Sequence, residues 1–165
     1  MQLFREDVSG FGGMNRCAIV GIGNTLAGDD GAGIVAVKRL QHRCVGRGSP
    51  SFLTLQGDLF EIADHLPRHD RFVFVDALVA STAGEIREPR HIPPSLAPSN
   101  HQSDIVTVMR MLRTVQSAGD FPDWELWGIT VTPPFHMGEG LSPAVERGVV
   151  RLSAKLQTAI ERGTL

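Results

Sequence analysis

Residues 17–33 read CAIVGIGNTLAGDDGAG, and this run decides the fold. Ala18, Ile19 and Val20 lead a short apolar run that ends at Gly21, the pattern of a buried strand. A turn punctuated by glycines follows and closes on two adjacent acids, Asp29 and Asp30. From Gly31 to Gln41, Ile34, Val35, Val37 and Leu40 build one broad apolar face, which predicts a helix. A strand, a glycine-rich turn and a helix in immediate succession bring backbone N–H groups and acidic side chains to the carboxyl end of a strand. Open α/β sheets bind their ligands there.

The turn matches a dinucleotide fingerprint only in part. Gly21 and Gly23 are present, but Leu26 stands where the GxGxxG pattern needs its third glycine, and Gly28, Gly31 and Gly33 do not restore the spacing. Two carboxylates also occupy the approach a diphosphate takes to the helix N-terminus, where like charges repel. Asp29 reads as an acid placed to cap the positive end of the helix. For Asp30, cap and ligand stay equally open.

Outward from this run, Gly46, Gly48 and Pro50 mark a loop. Phe52 to Leu55 reads as a second strand, and a helix through Leu59, Ile62, Ala63 and Leu66 follows with Asp58 as its N-cap. Residues 71–78, RFVFVDAL, form an apolar third strand with Asp76 at its end. Residues 84–87 suit a short edge strand. The long proline-rich loop 88–100, EPRHIPPSLAPSN, has a length that usually goes with function or mobility. A helix is expected from about Ser103 to Val115, a last strand from Trp124 to Val131, and a terminal helix opened by Ser142 and Pro143 and running to about Glu161. This alternation predicts a three-layer α/β/α sandwich with a mostly parallel twisted sheet of about five strands. Right-handed crossovers put the strands' carboxyl ends on one edge, with Asn24, Asp30, Gly57, Asp76 and the loop before the third helix.

The chain has 165 residues, the size of one domain with a substantial core. Residues 1–14 read as a loose N-terminal extension, polar and glycine-rich and without the pattern of a signal peptide, and 15–165 as a single α/β domain. A hydrophobic fraction of 42% and a charged fraction of 21% fit a soluble globular protein. A net charge of −2 argues against a general nucleic-acid binder. No apolar run reaches the roughly 20 residues that span a bilayer, so membrane insertion is not expected. Cys17 and Cys44 make no CxxC pair, and with Cys17 in a buried strand they read as inert thiols of a cytoplasmic protein.

Three residues carry the chemical candidacy. Asp76 closes an apolar strand, where an acid must face a cleft, bond to backbone or meet a cation; a turn-capping role is its plain alternative. His101 follows the proline-rich loop directly before a helix, and taken alone it reads as a surface histidine. His42, His65, His69 and His91 sit in charged or loop contexts, and His136 is a weaker candidate for lining the cleft. Asp30, Asp76 and His101 gain weight together, because parallel topology brings all three to one sheet edge. Two carboxylates and one imidazole suit a divalent first-row metal with positions left open. No HExxH, cysteine cluster, Walker A or GxSxG signature competes.

These motifs resemble those of the hydrogenase maturation proteases, endopeptidases that process the large subunit of nickel–iron hydrogenases. GIGNTLAGDDGAG at 21–33 is similar to the family's opening GxGNxLxxD(D/E)xxG, and the resemblance continues through the strand end around Gly57, VDA at 75–77, His101-Gln102 before a helix and GLSPAV at 140–145. It spans nearly everything from about Asn15 to the last helix. Gln56-Gly57-Asp58 departs from the Asp-Gly-Gly-like turn of many members, and residues before Met14 have no counterpart.

The resemblance implies a nickel site on Asp30, Asp76 and His101. It also implies that the nickel is supplied by the substrate, the large-subunit precursor, whose C-terminal extension is removed after nickel insertion; another divalent metal can occupy such a site in vitro. Three ligands are too few to saturate a metal and suit sharing one. Asp30 and Asp76 are the candidate catalytic acids, with Asp76 favoured as general base because of its apolar approach strand. A monomer acting on that precursor, with no nucleic-acid partner, is expected. The rival reading is a Rossmann-like nucleotide-binding module without peptidase activity, with Asp58 offered as the ribose-binding acid.

Overall fold

The computed structural model describes residues 16–46, 48–89, 104–115, 121–135 and 137–165. The expected extension over 1–14, His101, His136 and most of the proline-rich loop lie outside the described residues. The strands are β1 (Cys17–Ile22), β2 (Ser51–Leu55), β3 (Arg71–Val79), β4 (Ile86–Arg87) and β5 (Asp123–Val131). The helices are α1 (Ala32–Arg43), α2 (Ile105–Val115) and α3 (Pro143–Glu161), with 3₁₀ segments at Gly28–Gly31 and Leu59–Arg68.

The five strands form one sheet in the order β2-β1-β3-β5-β4. β2, β1, β3 and β5 run parallel, and only the two-residue β4 pairs antiparallel, at the edge beside β5. This is the mostly parallel sheet that the strand–helix alternation predicts. From β1 the chain passes through α1 to β2 on one side, and then reaches β3 on the other side. The order of strands therefore reverses at β1, and the crevice between the carboxyl ends of β1 and β3 is the sheet's switch point.

The two-residue period of the strands sorts the core into two layers. Ile19, Val73, Val75 and Ile129 pack with Ala36 and Leu40 of α1 and with Val149 and Leu152 of α3. On the other face Val20, Ile22, Phe72 and Phe74 pack with Ile62 of the second 3₁₀ segment and Met109 of α2. Strands buried on both faces explain why β1 and β3 read as continuous apolar runs.

Three local expectations are corrected. Residues 59–68 wind as 3₁₀ turns instead of the expected α-helix. The ring of Pro67 disfavours an α-turn by clashing with the carbonyl four residues back, and Asp58 still caps the segment, accepting from the Phe60 N–H at 2.8 Å. Asp76 is not the end of its strand: β3 continues three residues further, paired with β5 up to Val79 and Val131. Asp29 does not cap the adjoining helix, since neither the 3₁₀ turn nor α1 has a side-chain cap at its start. Its carboxylate instead accepts from the Ser142 N–H at 2.6 Å, at the entrance to α3.

Candidate active site at the switch point

The site begins where β1 stops. Ile22 is the last residue of β1, and the chain leaves the sheet at Gly23, whose φ of 144° lies where side chains are disfavoured. A Cβ at Gly23 would stand 2.1 Å from the carbonyl oxygen of Asp30. The glycine thus does not make room for a phosphate; it makes room for the peptide of Asp30 itself. Gly33 works the same way one turn on, since a Cβ there would lie 2.2 Å from Val75 O and 2.4 Å from Ile22 O. The start of α1 is pressed onto β1 and β3 immediately before Asp76.

β3 runs past the end of β1, so Asp76 sits at a step in the sheet. It continues the row of Phe72 and Phe74 by the two-residue period, on the face covered by α2. Asp76 is fully buried and Asp30 is 2% exposed, an unusual placement for two acids. The Ala77 N–H donates to Asp76 Oδ1 at 2.8 Å, while Asp76 Oδ2 has no hydrogen-bond partner among the described residues. Burial pushes the Asp76 carboxyl up to about 7; the Ala77 N–H pulls the other way, and the negative charges of Asp30 and Asp104 add to the rise. A buried acid with an unmatched oxygen, next to a second buried acid, is an arrangement that calls for a cation or a proton.

Asp104 is the residue that sequence reading passed over. It caps α2, with Oδ1 accepting from the Thr107 N–H at 2.7 Å and Oδ2 from the Thr107 hydroxyl at 3.2 Å. The signal was present as an acid three residues before a threonine at the head of an apolar helix. The cap fixes the start of α2 close enough to Asp76 for its charge to be felt.

Asp30 and Asp76 are therefore brought together, as their shared sheet edge predicts. His101 lies outside the described residues, and among those described no three metal-ligating side chains gather into one group. The turn itself is tied down on its outer side: the Gly28 N–H donates to Gly138 O at 2.9 Å and the Gly138 N–H to Leu26 O at 2.8 Å.

No family model matches the chain, and no curated protein does either. Solved structures do match. The NiFe hydrogenase maturation protease HybD from Thermococcus kodakarensis is 24% identical, with 88% of this chain and 99% of that chain covered and a TM-score of 0.71. The hydrogenase maturating endopeptidase HybD from E. coli is 25% identical, over 90% and 93% of the two chains, with a TM-score of 0.66. The NiFe hydrogenase maturation protease HycI from Thermococcus kodakarensis is 25% identical, over 92% and 96%, with a TM-score of 0.64. The fold is that of the hydrogenase maturation proteases. The resemblance carried by the sequence motifs agrees with it, and these maturation-protease neighbours, hydrolases by their names, support a protease role. The nucleotide-binding alternative is not favoured. No helix among the described residues is long and apolar enough to cross a membrane.

Proposed function

We propose that this protein is an endopeptidase that removes the C-terminal extension of a nickel–iron hydrogenase large-subunit precursor after nickel has been inserted. The observation that carries the reading is the buried acid pair at the switch point, with Asp76 Oδ2 unpartnered among the described residues, in a fold shared with maturation proteases. The nickel belongs to the substrate. Asp30, Asp76 and His101 are the side chains that complete its coordination and so dock the extension beside the site. The donor set fits: two carboxylates and an imidazole suit a first-row divalent ion and leave positions for the precursor's own ligands. The precursor, and so the enzyme, is placed in the cytoplasm, and the enzyme acts as a monomer.

In this reading Asp76 is the general base. Its carboxyl, pushed up to about 7 without metal, becomes a stable carboxylate beside a cation. It takes a proton as water adds to the scissile carbonyl, and the same proton leaves on the departing amine. The C–O bond forms as the carbonyl π bond opens, and the C–N bond breaks when the tetrahedral adduct collapses and restores the carbonyl, with water as the only other reactant.

The test is processing of a nickel-loaded precursor by Asp30→Ala, Asp76→Ala and His101→Ala, followed by the mass of the large subunit. Each variant is expected to lose at least a hundredfold in rate, within the range for removing a proton-transfer group. Full activity in all three would sink the metal-docking role. Cleavage of nickel-free precursor at the same rate would sink recognition through nickel.

A further inference from the structure

The side-chain amide of Asn24 is held in one orientation at the lip of the acid pair. The Leu26 N–H, which can only donate, meets Asn24 Oδ1 at 3.0 Å, and this fixes which end of the amide is oxygen. Gln56 Nε2 donates to the same oxygen at 3.3 Å. With Oδ1 engaged twice, the Asn24 amide nitrogen keeps its N–H donors without a partner among the described residues. Asn24 also adjoins Asp30. The preceding residue, Gly23, lies against Asp30 O, and a methyl on Gly31 would stand 3.3 Å from Asn24 O. The ends of β2 and β1 and the step where β3 runs past β1 thus present Gln56, Asn24 and Asp76 in spatial order along one edge.

A neutral donor beside two acids selects a neutral acceptor, since an anionic ligand would be repelled. In a peptide substrate that acceptor is a main-chain carbonyl. We propose that the Asn24 carboxamide donates a hydrogen bond to a main-chain carbonyl of the peptide laid across Asp30 and Asp76, with Gln56 as the positioning residue that holds the amide. The inference deepens the endopeptidase reading and rests on it. Because the amide is already oriented by two hydrogen bonds, little side-chain entropy is lost when the peptide docks. The chain's departure at position 56 acquires a meaning here: a glutamine can donate to Asn24 Oδ1, which an ionised aspartate cannot.

The experiment measures kcat and KM on nickel-loaded precursor for wild type, Asn24→Asp, Asn24→Ala and Gln56→Ala, with a thermal melt of each. Asn24→Asp keeps an acceptor for Leu26 and Gln56 and replaces the donor by a charged oxygen. Its melt is expected to stay within a few degrees of wild type while KM rises about tenfold, the scale of one hydrogen bond left unmade. Asn24→Ala, which adds no charge, is expected to raise KM at least as much, and Gln56→Ala to raise it by a smaller factor. A wild-type KM in either Asn24 variant overturns the proposal alone. A wild-type enzyme that leaves the precursor uncut overturns the endopeptidase reading and this proposal with it.

Discussion

The two edges of the parallel sheet arrange their charges in opposite ways. At the amino edge, Arg71 of β3 reaches Glu125 of β5 at 3.1 Å, and the Trp127 indole N–H donates to the same carboxylate at 2.9 Å. Opposite charges on neighbouring strands meet there, with Arg71 Nε the one buried atom among the described residues of that cluster left unmatched. On β1, beside Arg71, Cys17 is an inert thiol, pushed up to about 11 by burial. At the carboxyl edge, Asp76 faces the charges of Asp30 and Asp104, all of the same sign. One edge is arranged to hold the sheet together. The other keeps like charges together, the kind of unfavourable arrangement by which functional sites depart from good packing.

The largest effect that tests this contrast is at Asp76. Asp76→Asn keeps an acceptor for the Ala77 N–H and removes the ionisable group. We expect processing of the precursor to fall about a thousandfold or more, within the range for deleting a general base, while stability at neutral pH rises by about 2–4 kcal/mol. The sign follows from proton binding. The unfolded chain loses the Asp76 proton near 4, whereas the folded chain holds it until about 7. The folded state therefore binds more protons between these values, and wild-type stability falls as pH rises through that window. Denaturant unfolding from pH 4 to 8 should show this slope in wild type and a flatter profile in the variant. An Asp76→Asn protein less stable than wild type at pH 8 would break the contrast.

A second test concerns the backbone that creates the acid edge. Gly33→Ala sets a methyl against Val75 O and Ile22 O, both backbone atoms that cannot move aside alone. The expected cost is about 3 kcal/mol or more in unfolding free energy, and an unchanged denaturation midpoint would show that α1 is free to lift from β1 and β3. The smallest effect belongs to the amino edge. Glu125→Ala removes the partner of Arg71 and Trp127, and since both ends of that ion pair are partly exposed, about 1 kcal/mol is the expected loss, with cleavage unchanged. A larger loss than that of Gly33→Ala would invert the ranking of the two edges.

Much of this is legible in the sequence. The alternation of apolar runs with 3.6-period segments gave the layers and the parallel sheet, because burial on both faces leaves a continuous apolar strand. Asp30 and Asp76 were legible as a pair because parallel strands share a carboxyl edge. The position of Asp76 within β3 was not, since strand length depends on how far the neighbour extends, and β5 carries β3 past the point where β1 leaves. The bond from Asp29 to Ser142 was hidden for a related reason: its partners lie 113 residues apart, and a local reading offers the nearer helix end instead. The pairing of Gln56 with Asn24 likewise joins two strand ends that only the sheet order makes neighbours.

That bond between Asp29 and the Ser142 N–H bears on how the protein is made. The opening turn emerges from the ribosome early, as does the strand that bears Asp76, but the turn's outer fastenings at Gly138 and Ser142 are synthesised more than a hundred residues later. Until that late segment arrives, the turn bearing Asp30 lacks the partners that hold it in place, so the nascent chain carries its acids without a finished site. The acid site is thus complete only after the chain's own late segment has docked.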